Sequence, residues 1–99
     1  MKPLKYHPSA QVEIEAIHDW YPQRSPQAAD GFYEALIPAL NRVREHSRQY
    51  PSHLYGTQRL VLSRYPFSVI FRERMHDIQI VAVAHSRRRP GYWTKRIKH

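Results

Sequence analysis

The apolar residues of this chain change period halfway along it. Ala10, Ile14, Ile17 and Tyr21 recur at i, i+4, i+7 and i+11, one stripe of an amphipathic helix. Pro8 stands at the first turn, where its missing N–H costs nothing, and Pro22 stops the helix. Glu13 and Glu15 fall near the positive end of the helix dipole and, with Asp19, read as a solvated face. A second helix starts with Ser25 as N-cap and Pro26 at the next position. Ala29, Phe32, Leu36, Leu40 and Val43 then line one face, with Ile37 and Ala39 beside them. Pro38 deletes one backbone bond inside that helix, a cost of ~3 kcal/mol unless packing relieves it, and should bend the axis. The period resumes beyond it, so one bent helix is expected, ending near Ser47. A connection at Gln23-Arg24 makes the two helices an antiparallel hairpin, and the short run Leu4 to Tyr6 ahead of them reads as an edge strand.

From Arg59 onward the period is two. Leu60 and Leu62 alternate with Arg59, Val61 and Ser63. After the break at Tyr65-Pro66, Phe67, Val69 and Phe71 alternate with Ser68, Ile70 and Arg72. Past a turn near Met75-His76-Asp77, Ile78 to Ala84 is nearly all apolar, the mark of a strand covered on both faces and therefore central. These three runs predict an antiparallel meander. Leu60, Leu62, Phe67, Val69, Phe71, Ile78 and Ile80 should face the helices. Arg59, Ser68, Arg72 and His85 should lie on the opposite face, around Val61, Ile70, Val81 and Val83. The fold class is α+β: an N-terminal strand and a helix hairpin packed on one face of a small, mainly antiparallel sheet, β-α-α-β-β-β, with room for a short basic helix after Pro90.

Ninety-nine residues make one domain, residues 1–99. Hydrophobic content of 41% and aromatic content of 12% suffice for a compact core. Cysteine is absent, which removes disulfides and thiolate chemistry and fits a reducing cytosol. The first residues lack the apolar stretch of a signal peptide, and no run approaches ~18 apolar residues, so a cytoplasmic protein without membrane contact is expected. The seven histidines are scattered, none forms an i, i+4 pair on a helix, and no metal or other cofactor is expected.

Charge separates the two halves. Residues 59–99 carry ten Lys/Arg against Glu73 and Asp77, whereas residues 1–58 carry six basic and six acidic residues. The whole formal charge of +8 therefore lies in the second half. Such a field attracts a polyanion or an acidic partner to one surface. Cations and rings interleave in the tail His85-Ser86-Arg87-Arg88-Arg89-Pro90-Gly91-Tyr92-Trp93-Thr94-Lys95-Arg96, which suits phosphate pairing and stacking or an acidic protein groove. Trp93 can equally pin the tail onto the sheet, and His85 can be an ordinary strand-end residue.

The element order, Pro-Phe at the second turn (Tyr65-Pro66-Phe67-Ser68-Val69-Ile70-Phe71), the strand Ile80-Val81-Ala82-Val83-Ala84-His85, and the closing His-x-x-Arg-x-Pro-x-x-Trp from His85 to Trp93 resemble the RelE/ParE superfamily of bacterial type II toxin–antitoxin systems. Arg59-Leu60, Trp20-Tyr21, Phe32 and Leu36 agree with it. The resemblance covers almost the whole chain. It implies a toxin, of a plasmid-stabilising kind that arrests growth, with a cognate acidic antitoxin as partner and operator DNA reached only through that antitoxin. It also implies one of two targets. RelE-like members cut mRNA on the ribosome, with cations on the outward face of the middle strands. Here Arg59 is basic, but Val61 and Ser68 stand at the next two such positions, and such phosphate clamps are worth ~3–4 kcal/mol each. The ParE-like reading, inhibition of DNA gyrase without catalysis, is therefore preferred. Its target-binding residues would be Arg87, Arg88, Tyr92, Trp93 and Arg96. In the alternative ribonuclease reading, His85, Arg87, Tyr92 and Arg59 would form the catalytic set. A basic nucleic-acid-binding module without toxicity, and a decayed toxin that keeps only its antitoxin, are the remaining readings.

Overall fold

The computed structural model describes residues 1–20 and 26–97. The strand β1 (Leu4–Tyr6) is followed by helices α1 (Pro8–Trp20) and α2 (Pro26–His46), then by strands β2 (Gln58–Val61), β3 (Phe67–Glu73) and β4 (Ile78–His85). Short 3-10 turns cover Ser47–Gln49, Leu54–Gly56 and Thr94–Arg96. The sheet order is β1-β4-β3-β2. The meander β2-β3-β4 is antiparallel, and β1 joins the edge parallel to β4. The α+β expectation is met, with β4 inside the sheet as its apolar run required. The helix stop at Pro22, the Gln23-Arg24 connection, the cap at Ser25 and the side chains of Tyr21 and Ala29 lie outside the described residues.

Helix α1 has a cap that its sequence did not advertise. The His7 ring accepts the Ser9 N–H at Nδ1 (3.1 Å), and the His7 carbonyl takes the N–H groups of Ala10 and Gln11. Helix α2 runs through Pro38 without interruption. At its far end, Gln58 Nε2 donates to the Ser47 and Tyr50 carbonyls (2.5 and 3.0 Å), so the first residue of β2 closes the end of α2. The helices run antiparallel. The His18 ring stacks on Tyr33 at 4.4 Å, while Gln11 and Ile14, earlier in α1, share a cleft with Leu36 and Leu40, later in α2.

Phe32, Leu36, Ala39 and Val43 of α2 and Ala10 of α1 pack on Leu60, Val69, Phe71, Ile78 and Ile80 of the sheet. Phe32 meets Phe67 edge-on at 5.8 Å. Leu62 falls just outside β2 yet stays buried, held by its N–H to the Phe67 carbonyl (2.9 Å).

The phase of β4 corrects the expected split between faces. Phe71 pairs with Ile80 and Ile70 with Ala82, so Val81 is an extra residue in the strand. Such a bulge shifts the alternation that follows it. Val83 consequently packs in the helix-facing core, and the His85 ring turns to Phe67 on the same side (5.1 Å, edge-on). Val81 and Ala82 both join the second cluster, on the outer face, with Ile70 and Trp93.

Glu73, at the end of β3, ties three parts of the chain. It accepts Ser47 Oγ (2.8 Å), Lys2 Nζ (3.3 Å) and Arg48 Nη2 (3.5 Å). The Ser47 hydroxyl and then Lys2 hold its carboxyl below the ordinary 4.5. Asp77 is held below 3.8 by its hydrogen bonds from Arg74. These depressed values stabilise the fold above about pH 4.5, and that contribution is lost as pH falls through the lowered folded values. Glu73→Gln with Asp77→Asn should flatten the acid limb of a stability–pH profile measured by urea unfolding. Phe71→Ala, which empties a fully buried ring site, should lower unfolding free energy by about 3–5 kcal/mol in the same assay.

Candidate functional site

The tail folds back over the outer face of the sheet. The ladder between β1 and β4 ends at Ile80, whose carbonyl accepts the His7 N–H (2.9 Å). Beyond it β1 has ended, so the Val81 carbonyl and the Val83 N–H have no strand to pair with on that side, and unpaired backbone groups in a covered position are costly. Two side chains satisfy them. Glu13 Oε1 accepts the Val83 N–H (3.1 Å), and Arg96 Nη1 donates to the Val81 carbonyl (3.0 Å).

Glu13 and Arg96 also grip each other. Arg96 Nη1 reaches Glu13 Oε1 at 2.8 Å and Nη2 reaches Oε2 at 3.0 Å, a two-pronged pair with both side chains only 16% exposed. The Tyr92 hydroxyl donates to Glu13 Oε2 at 2.5 Å. Burial first, and then this hydrogen bond to a carboxylate, push the Tyr92 phenol far above its ordinary 10.0. Arg96 is held above its ordinary value by Glu13 against an opposing burial effect, the largest single influence on it. The guanidinium of Arg88 lies over the Tyr92 ring at 3.8 Å from its centroid, and that of Arg96 at 5.2 Å.

Trp93 continues the packing. It is 2% exposed, against Ile70, Val81 and Ala82, with His53 and Tyr55 at ring distances of 6.0 and 6.2 Å. Gly91 makes the bend that delivers these rings. Its φ is +80°, and an added Cβ would lie 3.2 Å from the Tyr55 ring and 3.3 Å from Thr94 Oγ1.

The expected target-binding residues thus separate into two groups. Arg87 and Arg88 are exposed. Tyr92 and Arg96 are joined to Glu13, and Trp93 is buried, so the expectation that Trp93 meets a target is revised: its ring pins the tail. Of the ribonuclease set, Arg59, His85 and Tyr92 line one crevice on the outer side of the sheet, and Arg87 is exposed. His85 accepts the Arg87 N–H at Nδ1 (3.0 Å) and its ring packs on Phe67, while the Tyr92 hydroxyl donates to Glu13. Arg72 donates to Gln79 Oε1 at 2.7 Å.

Sequence reasoning misassigned Glu13. It sits three residues after Ala10 and one before Ile14, on the buried stripe, and a carboxylate at that register was the available signal. His53 and Tyr55 left no signal, because only the folded tail brings Trp93 to them.

Electrostatically, the acids of the second half are consumed: Glu73 by Lys2 and Arg48, Asp77 by Arg74. Glu13 is lent from the first half to Arg96. Among the described residues, Arg59, Arg64, Arg87, Arg88, Arg89 and Lys95 have no carboxylate partner. They form an exposed cationic set on the sheet edge, its turn and the tail. No described helix is long and apolar enough to cross a membrane.

A family model described as the ParE toxin of type II toxin–antitoxin systems, parDE, matches residues 4–90. The chain belongs to this family, and is a toxin of the type II class. Among solved structures it is similar to a chain of a chromosomal ParDE toxin–antitoxin system from P. aeruginosa. The TM-score is 0.74 and the identity 28%, over 86% of this chain and 96% of that one. No curated protein matches it. Membership implies an antitoxin partner.

Two outcomes test the tail lock. Glu13→Gln leaves Arg96 without its countercharge and should cost roughly 1.5–3 kcal/mol, seen as a lower denaturant midpoint together with greater Trp93 exposure to a fluorescence quencher. Because the Tyr92 value is raised, its neutral form stabilises the fold below pH 10.0, and that stability is lost as pH rises beyond it. Tyr92→Phe should flatten the alkaline limb of the stability–pH profile.

Proposed function

We propose that this toxin inhibits DNA gyrase, and so replication, and that a cognate acidic antitoxin neutralises it. The observation that carries this reading is the engagement of the Tyr92 phenol by Glu13, beside a sheet face that lacks two of the expected cations. Cleaving RNA needs a base for the 2′-hydroxyl and an acid for the leaving group, within reach of one phosphate. The Tyr92 proton is held by Glu13, and its phenol is shifted away from neutral pH rather than toward it. The His85 ring faces Phe67. Val61 and Ser68 stand where that chemistry would want cations. What remains on the surface is an exposed set of arginines, one of them held on the Tyr92 ring, suited to holding a partner rather than to moving protons.

In this reading Arg87 and Arg88 contact the gyrase complex. Tyr92 and Arg96 act behind them, fixing the segment on which they stand, and Trp93 anchors it. The partnerless cations likewise suit an acidic antitoxin, whose carboxylates would cover them and raise the encounter rate.

Supercoiling by purified gyrase in the presence of the toxin is the test, run beside a ribosome-bound transcript. The wild type should block supercoiling and leave the transcript whole. Arg87→Ala/Arg88→Ala should weaken inhibition by at least ~10-fold, about 1.4 kcal/mol. Full inhibition by that double variant, or a cut transcript, would overturn the reading.

A further inference from the structure

Below Arg88 and Arg89, between the tail and strands β2 and β3, lies a crevice of about 90 Å³. A crevice of that size has room for a tetrahedral oxyanion. We propose that this crevice is a phosphate site, and that its ligand is the sugar–phosphate backbone of a nucleic acid. The inference rests on the cationic surface being the one that meets the target, and it names what that surface takes there.

Residues that carry donor groups line the crevice from three separate segments. Arg59 comes from β2, Ser68 from β3, and Ser86, Arg88 and Arg89 from the tail. None of the three arginines has a carboxylate partner among the described residues. Arg88 is already positioned, because its guanidinium carbon lies 3.8 Å over the Tyr92 ring and Tyr92 is fixed by Glu13. Stacking occupies the face of a guanidinium and leaves its N–H edge for an oxyanion. His53 lines the same crevice, where burial and then the positive charge of Arg59 lower its pKa. Its proton is thus repelled by a cationic field that an anion would relieve.

Geometry favours a phosphate over the carboxylate of an acidic peptide. Three arginines lining one small crevice exceed the single charge and two coplanar oxygens of a carboxylate. They suit oxygens pointing in three directions. Arg87 and Lys95, exposed on the same tail, extend the charge beyond the crevice, as neighbouring phosphates of a polymer would require.

The test uses the purified toxin without gyrase, so its failure is separate from failure of the gyrase reading. Inorganic phosphate is titrated while backbone amide resonances are followed, and binding of a fluorescein-labelled oligonucleotide, single-stranded or duplex, is measured by anisotropy over a range of salt. Phosphate should shift the amides of Ser68, Ser86 and Arg88. Arg88→Gln should weaken oligonucleotide binding by at least about tenfold and flatten the salt dependence by about one unit of slope. Arg64→Gln removes the same charge from the exposed turn before β3 and should have a much smaller effect. Equal losses for the two variants would mean bulk charge alone and overturn the site. So would phosphate shifts without oligonucleotide binding, or poly-glutamate binding in the crevice where phosphate shifts nothing.

Discussion

A single carboxylate in the first helix holds the C-terminal tail against the sheet. Glu13 takes one backbone N–H from the bulged strand, one hydroxyl from Tyr92 and two guanidinium N–H groups from Arg96. Each partner answers a specific deficit. The strand edge past Ile80 lacks a neighbour, the phenol is half buried, and the guanidinium is desolvated. A lone carboxylate there would be expensive to bury, as would a lone guanidinium. Together they replace the missing continuation of β1 with side chains. The tail is thereby fixed by a polar joint beside the apolar anchor of Trp93.

That joint explains how a strongly basic segment can be ordered. Arginines on a loose tail lose much conformational entropy when they bind. Here the loss is taken on folding. Tyr92 is held from below by Glu13 and carries Arg88 on its face, so one cation of the surface is placed by a chain of contacts that starts in α1. The second cluster, Ile70, Val81, Ala82 and Trp93, gives the tail a floor. The outer face of the sheet is a mounting surface, and the chemistry exposed on it is electrostatic.

The same arrangement bears on the acid–base chemistry that RNA cleavage would need. An acid–base pair must be free to exchange protons near neutral pH. Tyr92 is shifted the other way by burial and by Glu13, and the bulge at Val81 rotates His85 toward the core. A one-residue bulge thus turns the His85 ring onto Phe67, although His85 still lines the crevice beside Arg59, and Arg96 binds the Val81 carbonyl.

Much of this architecture was legible from local pattern. The helical and strand periods, the central position of β4 and the order of elements follow from residues a few positions apart, because the side chains of one helix or strand share a face by geometry alone. The charge partition was legible too, since it is a sum over residues. Which cations stay free is a different matter. It depends on Glu13 meeting Arg96, 83 residues away, and on Trp93 finding His53 and Tyr55. The phase of β4 after Val81 was equally hidden, for the alternation of an all-apolar strand carries no mark of an extra residue. The sequence by itself determined the helices, the meander and the sign of the surface, because those rest on spacing and composition. The tertiary structure alone decided that Tyr92, Trp93 and Arg96 are fastenings and that Arg59, Arg88 and Arg89 share one crevice, because only folding brings distant partners within hydrogen-bonding reach.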